Sequence, residues 1–534
     1  MLATGFSAKE KMDINDKHAG AEAAHPSIWM ATAEEVAFPA LSGDLDVDVA
    51  VIGGGITGIT TAALLARDGL RVVVLEARRI GLGTTGYSTG NLYAVVGEPL
   101  HKLASKWGRD TVGQVVESRS MAIDLIEKTT RDHGIQCNFS RQPWVLYSVD
   151  ASPDSNATID REYQAARDAG LAARVTADLP LPYEIHHALV VSHQAQFHPL
   201  RYVRQLAQAI HSPRCQIFEH SPISGFDDDA GVLTCGRYTV KAAQVVMATH
   251  TPKGFNAIQT ELGPYREYAV AAPLLRKQLA GGIFWSLGAE THSTRLLDVN
   301  GQPYVIMVGD KHKTGQKNDP QASYRQLETM LQARFDTGPV AFRWSAQQYR
   351  AADSLPYIGP GIGSSRLYLA SGFAGDGLTF GTVAAMLIAD HIAGRKNAYA
   401  DLYSPRRFTP VKSAGNFLKE NLNVASYYVK DHIKGGDVSQ LSEVPRGEGR
   451  IVDLDGERLA VYRDDANQLH VVSPVCTHLK CIVHWNQAER SWDCPCHGSR
   501  FSHDGEVLEG PALAPLEKRT VPPAANGGTD SWLP

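Results

Sequence analysis

The clearest pattern of apolar positions lies near the N-terminus. Val49 to Ile52 form an uninterrupted apolar run, typical of a strand buried on both faces. A glycine-rich turn occupies residues 53–58, and small and apolar residues from Ile59 to Asp68 predict a helix. Arg71 to Leu75 form a second apolar strand. This order predicts a βαβ unit that contributes to a parallel sheet.

Further periodic segments predict helices at residues 99–107, 111–133 and 379–393, and a lone amphipathic helix at residues 417–433. From Glu443 onward the pattern changes to short alternating strands such as Leu459 to Tyr462, as in a small β domain. We therefore predict a flexible tail at residues 1–28, a large α/β unit at 29–410, a linker helix at 411–436 and an all-β domain at 437–525.

Composition limits the possible partners. The chain has 534 residues, 43% hydrophobic and 20% charged, with a formal net charge of -5. This balance indicates a globular protein and gives no reason to expect binding to nucleic acid. The longest apolar segment, Leu378 to Ala389, is shorter than the ~18–20 residues of a membrane span. The first twenty residues contain no apolar signal core, so we expect a cytoplasmic protein. A homo-oligomer is compatible with the sequence.

The seven cysteines are unevenly distributed. Cys137, Cys215 and Cys235 are scattered and are expected to be ordinary buried thiols. The other four fall between residues 476 and 496. A cluster of cysteines in an otherwise cysteine-poor chain favours metal binding over a disulfide framework.

The glycines of the first turn match a dinucleotide-binding fingerprint. Gly53 permits the turn, Gly55 lets the backbone approach a pyrophosphate, and Gly58 lets the helix pack on the strand. The helix N-terminus offers free N–H groups to phosphates. Glu76 closes the second strand, where an acid can bind a ribose hydroxyl. The alternative, an ordinary glycine turn, is disfavoured because strand, helix and acid are all in register.

Two short motifs near the C-terminus predict a Rieske-type [2Fe-2S] cluster. Cys476 and His478 form one pair, and Cys494 and His497 form the other. Two thiolates would hold one iron and two imidazoles the second iron. A zinc site is the alternative for two cysteines and two histidines. The asymmetric spacing of the pairs, each with an extra cysteine, favours the iron–sulfur cluster.

The loop from Arg78 to Asn91 resembles the flavin-side loop of the D-amino-acid oxidase, glycine oxidase and sarcosine oxidase superfamily. Residues 245–249, 353–359 and 372–379 resemble other segments of that superfamily. The resemblance covers residues 45–410. It implies a Rossmann-like FAD-binding domain of the glutathione-reductase type, with an interleaved α+β substrate subdomain at about 98–195 and 262–340.

The same resemblance implies a set of FAD-binding residues: Gly53, Gly55, Ile56, Thr57, Gly58, Glu76, Ala77, Arg78, Gly83, Thr84, Thr85, Gly86, Ile223, Ala248, Thr249, Asp353, Gly377, Leu378 and Thr379. Some members attach FAD covalently through cysteine or histidine. Neither residue occurs at 84–91 or 344–353, so we expect non-covalent FAD.

The cluster motifs resemble those of cytochrome bc-type Rieske proteins. That resemblance implies a disulfide between Cys481 and Cys496, a cluster-sulfide donor at Ser499, and a covering proline loop at residues 510–512. Phe501 stands where high-potential members have a tyrosine hydroxyl on a cysteine sulfur. The missing hydroxyl is expected to lower the reduction potential.

The two halves together resemble FAD-dependent amine and amino-acid oxidoreductases with a fused C-terminal Rieske domain. This resemblance implies oxidation of a small amine or N-substituted amino acid, with electrons passing from FAD to the cluster and on to an external acceptor. It places Lys311 and His312 near the flavin, and either Arg343 or Arg350 could hold a substrate carboxylate.

Two other functions are compatible with parts of the sequence. The chain could be a non-catalytic electron carrier that serves a partner enzyme, although intact motifs for both cofactors argue against it.

The chain could also be a Rieske oxygenase whose mononuclear iron is held by His193 and His198. The oxygenase is disfavoured because Pro199 follows directly and a flavin domain surrounds the pair.

Overall fold

The structure is a computed structural model. It describes residues 25–520 except Ala151, Phe255, Lys277, Gln278, Ala289, Glu290 and Phe408. The helices are α1 Ile28–Thr32, α2 Ile56–Arg67, α3 Leu100–Trp107, α4 Arg109–Asp132, α5 Pro153–Asp168, α6 Pro199–Ile210, α7 Gln321–Arg334, α8 Gly377–Ile392, α9 Ala400–Tyr403 and α10 Pro410–Ile433. Single 3₁₀ turns lie at Thr84–Tyr87, Ala257–Glu261 and Leu441–Glu443.

The strands are β1 Leu45–Ile52, β2 Val72–Leu75, β3 Asn91–Leu92, β4 Ser140–Ser148, β5 Ala173–Thr176, β6 His187–Gln196, β7 Cys215–Phe218, β8 Gly225–Asp227, β9 Val232–Cys235, β10 Tyr238–Met247, β11 Leu262–Pro273, β12 Ile283–Leu287, β13 His292–Val299, β14 Gln302–Lys313, β15 Phe342–Ala351, β16 Tyr357–Pro360, β17 Leu367–Ser371, β18 Glu448–Leu454, β19 Glu457–Arg463, β20 Leu469–Val472, β21 His484–Asn486, β22 Ser491–Asp493, β23 Arg500–Ser502 and β24 Val507–Glu509.

The first sheet has the order β16-β17-β10-β1-β2-β7, with β8 and β9 attached beside β10. β1 lies between β2 and β10 and is parallel to both. Helices α2 and α8 pack against each other beside this sheet. Because β1 is covered on both faces, its apolar run needs no alternation. The parallel sheet confirms the predicted Rossmann-like architecture.

The second sheet has the order β15-β11-β14-β13-β12-β4-β6-β3, and β5 pairs with β6. Most of its neighbours are antiparallel, apart from the parallel pair of β4 and β12. Its long strands come from residues 140–196 and 262–351, so two separate stretches of chain build one layer. This layer covers the carboxyl end of the first sheet.

The C-terminal region consists of two small antiparallel sheets, β18-β19-β20 and β21-β22-β23-β24. The linker helix α10 connects it to the first two sheets and lies along their surface. Glu420 on α10 forms an ion pair with Lys313 (2.5 Å), and Asn423 accepts a hydrogen bond from the same lysine (2.9 Å). α10 is therefore attached by side chains at its middle as well as by its covalent ends.

Several predicted boundaries need correction. α2 begins at Ile56, three residues before the predicted start, because Gly55 serves as its N-cap. α10 begins at Pro410 and includes the predicted helix 417–433. The predicted tail extends too far: residues 1–24 lie outside the described residues, but Ile28 and Trp29 are completely buried. The remaining domain limits stay predictions.

Among the residues that the structure describes, no helix has the length and apolar character of a membrane span.

Candidate cofactor sites

A cavity of about 640 Å³ lies where the two large sheets meet. Its wall includes the carboxyl ends of β1, β2 and β10, at Ile52, Leu75 and Met247. The second sheet contributes Val308 of β14 and Trp344 of β15 from the opposite side. Ligands of parallel α/β sheets bind at this carboxyl edge, where several loops converge.

Most of the predicted FAD-binding residues line this cavity: Gly53, Gly55, Ile56, Thr57, Glu76, Ala77, Arg78, Gly83, Thr84, Thr85, Ile223, Ala248, Thr249, Gly377 and Leu378. Gly58, Gly86, Asp353 and Thr379 are not part of the cavity wall, and their contact with FAD stays a prediction. Asp353 is fully buried in an ion pair with Arg407 (2.8 Å), which anchors the segment after β15. Gly58 supports the turn instead, since a Cβ there would lie 1.9 Å from the Gly53 carbonyl oxygen.

The donors around the cavity fit a dinucleotide. The N-cap residues of α2 and α8, Gly55 and Asp376, make no side-chain capping hydrogen bond. The N-termini of both helices therefore present backbone N–H groups and a positive dipole end to this region. The Glu76 carboxylate accepts hydrogen bonds from the backbone N–H groups of Gly54 (2.7 Å) and Arg78 (2.9 Å). These bonds hold the acid at the end of β2, where the fingerprint requires it.

The predicted catalytic residues do not reach the cavity. Lys311 is exposed, and His312 stacks on Tyr268 at 5.4 Å between ring centroids. Arg343 forms an ion pair with Glu328 (2.5 Å). Its neighbour Trp344 lines the cavity, whereas Arg343 is not part of the wall. A role of Lys311, His312 and Arg343 in contacting the substrate stays a prediction.

The other basic candidate, Arg350, lies 3.6 Å from Glu98 and is also absent from the cavity wall.

The two histidines of the oxygenase alternative lie in different environments. His193 is exposed, whereas His198 is buried as the N-cap of α6 and bonds to Thr32 Oγ1 at 3.0 Å. Burial lowers the pKa of His198 to about 3. The two side chains have different structural roles and form no shared site.

The four predicted cluster ligands come together at the tips of two loops. Cys476 and His478 lie between β20 and β21, and Cys494 and His497 lie between β22 and β23. The two histidine rings are 5.1 Å apart at an interplanar angle of 84°. Both cysteines are buried and unpaired, and the buried His497 Nδ1 has no hydrogen-bond partner among the described residues. Two thiols and two imidazoles form the donor set of a Rieske cluster.

A disulfide joins Cys481 to Cys496, with 6.6 Å between the Cα atoms. The sulfurs of Cys481, Cys494 and Cys496 lie within 4.8 Å of one another, but the disulfide withdraws two of them from metal binding. The Ser499 hydroxyl accepts a hydrogen bond from the Ala512 N–H (3.2 Å) and so attaches the proline loop to the second cluster loop. Phe501 is completely buried among the cluster cysteines.

Comparison with known proteins agrees with both sites. Residues 48–391 match the FAD dependent oxidoreductase family. The chain belongs to this family. Residues 436–521 match the Rieske [2Fe-2S] domain, so FAD and a [2Fe-2S] cluster are the cofactors and the zinc alternative is discarded.

Three relatives illustrate the similarity. A Bacillus subtilis protein, YhfW, described by name as a Rieske 2Fe-2S iron-sulfur protein, is 32% identical over 93% of this chain and 98% of its own. Gamma-glutamylputrescine oxidoreductase of Escherichia coli is 24% identical over 70% of this chain and 91% of its own. The crystal structure of glycine oxidase from Geobacillus kaustophilus aligns with a TM-score of 0.56 at 18% identity, over 68% of this chain and 100% of that one, and shows the shared fold.

In this FAD dependent oxidoreductase the Rieske domain forms part of the wall of the flavin cavity. The contributing residues are Glu489, Arg500, Val507, Leu508, Glu509, Gly510, Ala512 and Leu513. The domains also share ion pairs, between Arg266 and Glu489 (3.4 Å) and between His250 and Glu509 (3.2 Å). Sequence reasoning missed this interface because its partners are far apart in the chain and no motif marks them.

Two groups of this interface, Glu509 and Lys253, have pKa values shifted by their surroundings. Burial alone would raise the pKa of Glu509, but its hydrogen bond with His250 and the charges of His250, Arg500 and Arg266 hold that pKa well below its usual range. Burial lowers the pKa of Lys253 to about 8, and its Nζ donates to the Gly510 carbonyl oxygen (2.6 Å). Glu509 is therefore a stable anion at the contact between the domains.

One side chain reaches both sites. Gln347 lines the flavin cavity, and its Nε2 donates to the Gly498 carbonyl oxygen (2.8 Å), one residue after the ligand His497. Gly498 has a φ of +72°, and a Cβ there would lie 2.6 Å from the Pro264 Cβ. Only glycine lets the cluster loop approach this closely.

The other ligand loop also contacts the flavin half. Nε2 of its ligand His478 lies 3.1 Å from Gln259 Oε1.

Proposed function

We propose that this protein is a dehydrogenase that oxidises an amine or an N-substituted amino acid at FAD and releases the electrons through its Rieske domain to an external acceptor. When bound, FAD supplies hydride acceptance from the carbon beside nitrogen, and the cluster supplies one-electron transfer.

The observation that supports this proposal is the contact made by Gln347. It lies on the flavin cavity and donates to the loop that carries His497. Both ligand loops contact the flavin half: the His478 ring lies 3.1 Å from Gln259, and the Tyr349 hydroxyl lies 3.4 Å from the His497 carbonyl oxygen. A cluster domain that served only a separate partner would have no need to form the wall of this cavity.

The residues of the chain also prepare the cavity for chemistry. The Thr85 hydroxyl accepts the Ile56 N–H (3.1 Å) and fixes the flavin-side loop against α2. Val507, Leu508 and Leu513 of the Rieske domain add apolar residues to the cavity wall. The names of two relatives specify glycine and gamma-glutamylputrescine, which supports a nitrogen-containing substrate.

Anaerobic mixing with a panel of amines and amino acids tests the proposal. Bleaching of the flavin band identifies a substrate, and we expect reoxidation by ferricenium to be faster than reoxidation by air. The variant His497→Ala provides the matched control: it should keep bleaching but lose the fast reoxidation by ferricenium. Absence of bleaching with every compound would favour the electron-carrier alternative, and equally fast reoxidation by air would make the protein an oxidase.

A further inference from the structure

Two polar side chains face the flavin cavity from neighbouring strands of the second sheet. Glu267 lies on β11 and Gln348 lies on β15, and both line the cavity. Gln348 Nε2 donates a hydrogen bond to Glu267 Oε2 at 3.0 Å. An ionised carboxylate can only accept, so this contact fixes the orientation of the amide and directs its oxygen elsewhere.

The free oxygen of that amide lacks a partner. Gln348 is 4% exposed, and its Oε1 has no hydrogen-bond donor among the described residues. A Cβ built at Gly375 would lie 3.7 Å from Gln348 Oε1 and 4.0 Å from Glu267 Oε2. The two acceptors therefore converge on one small volume beside the loop that leads into α8. A buried acceptor without a donor is unfavourable unless a ligand supplies the donor.

Glu267 brings to this volume a carboxylate that has no ion-pair partner in the part of the chain that the structure describes. Among the described residues, no lysine, arginine or histidine lies within the 4.0 Å ion-pair distance of Glu267. The nearby Asp376 is already bound by Tyr93 (2.9 Å) and lies 3.5 Å from Arg119. A cation that brings N–H groups would satisfy both Glu267 and Gln348.

A carboxylate ligand would meet cationic side chains that already have partners. Those on the cavity wall each contact an acceptor of the protein: Arg78 the Leu82 carbonyl, His250 the Glu509 carboxylate, Lys253 the Gly510 carbonyl, and Arg500 the Asp493 carboxylate. Arg343 and Arg350 are not part of the cavity wall. Gln348 Oε1, by contrast, is an acceptor without a donor among the described residues.

We propose that Glu267 and Gln348 bind the protonated nitrogen of the substrate, and that the substrate is an amine without a carboxylate on the carbon beside that nitrogen. This assignment rests on the proposed function and narrows its substrate class. Glu267 is then a specificity residue that supplies the counter-charge, and Gln348 both orients that carboxylate and accepts a second N–H.

Matched pairs of compounds test the assignment on the holoprotein: ethylamine with alanine, pyrrolidine with proline, and 1,4-diaminobutane with ornithine. Anaerobic titration reports binding as a shift of the flavin band and turnover as its bleaching. We expect the amine to bind at least tenfold more tightly than the amino acid within a pair. Glu267→Gln should weaken amine binding at least tenfold, Glu267→Asp should weaken it less, and the surface variant Glu328→Gln should leave it unchanged.

FAD content and cluster absorbance verify that each variant is folded. Tighter binding of the amino acids, an unchanged amine affinity in Glu267→Gln, or no band shift with any of the six compounds would overturn the assignment. Bleaching by amino acids alone would overturn it while leaving the proposed oxidation intact. Amine binding that depends on Glu267 without any bleaching would support the site and remove the proposed oxidation.

Discussion

The flavin cavity and the cluster site hold their cofactors by different means. The cavity is formed by residues spread over 52–378 and the Rieske domain, and its fingerprint turn offers backbone N–H groups. The cluster site depends on four side chains within residues 476–497. A site that offers backbone groups tolerates many side-chain substitutions, but it is lost when a side chain is added at a position where only glycine fits. A site formed by four ligand side chains is lost when any one of them is removed.

The first prediction concerns a cluster ligand and has the largest expected effect. His497→Ala removes an imidazole from one iron and should abolish the rhombic electron paramagnetic resonance signal of the reduced cluster. FAD content and flavin bleaching should persist because the cavity keeps its backbone. His503→Ala, in the same domain but away from the ligand loops, should retain the signal. Loss of FAD in His497→Ala would show that the two sites are not independent.

The second prediction adds a side chain at the flavin cavity, where the first removed one from the cluster site. Gly58→Ala places a methyl group 1.9 Å from the Gly53 carbonyl oxygen and must displace the fingerprint turn. We expect FAD content to fall at least tenfold while iron content stays constant, measured as flavin and iron per chain. Gly113→Ala meets nothing within 4 Å inside α4 and should keep full FAD, with a gain of about 0.5–1 kcal/mol in stability. Normal FAD in Gly58→Ala would contradict the backbone argument.

The third prediction tests the contact between the two regions. The folded pKa of Glu509 lies below its unfolded value of about 4.3, so its stabilising contribution is present above that pH and is lost as the pH falls. Glu509→Gln should lower the free energy of unfolding by about 1–3 kcal/mol at neutral pH and flatten its dependence below pH ~4.3. Chemical unfolding from pH 3 to 7 measures both effects.

Glu328→Gln, which breaks an ion pair outside the interface, should change stability by at most about 0.5 kcal/mol. An unchanged acid dependence in Glu509→Gln would mean that other carboxylates control the stability of the interface.

The fourth prediction is the smallest and stays within the cluster site. Phe501→Tyr introduces a hydroxyl among the cluster cysteines, and a donor to cysteine sulfur stabilises the more negative reduced cluster. We expect a rise of tens of millivolts in the midpoint potential, since 59 mV corresponds to a tenfold change for one electron. Ser499→Ala should lower the potential by a similar amount. Protein-film voltammetry measures both, with Phe342→Tyr as the distant control.

A fall or no shift in Phe501→Tyr would mean that the ring does not face a cysteine sulfur. The proposed match of this loop to high-potential Rieske proteins would then fail.

The elements around each motif were predictable because local sequence determines them. The βαβ unit, the fold class and the convergence of Cys476, His478, Cys494 and His497 all follow from short spacings and apolar runs. The substrate wall was not predictable in this way. Arg343 was a plausible carboxylate ligand, but its side chain pairs with Glu328 of α7, whereas its neighbour Trp344 lines the cavity. The choice of such a partner depends on tertiary packing and leaves no mark in the local sequence.

Glu267 and Gln348 were missed for the same reason. A glutamate and a glutamine in apolar strands carry no motif, and their pairing depends on how β11 aligns with β15. The interface residues Glu489 and Glu509 depend on docking between regions that are distant in sequence. Contacts between residues far apart in the chain leave no pattern in the local sequence from which they could be predicted.

The position of the Rieske segment in the cavity wall has a consequence for the order of events during synthesis. A ribosome completes the flavin half, through residue 391, before it makes residues 489–513 that cover the cavity. At roughly 5–20 residues per second the interval lasts on the order of ten seconds. During that time the nascent cavity is open on one side, so FAD can enter before the last domain folds over it.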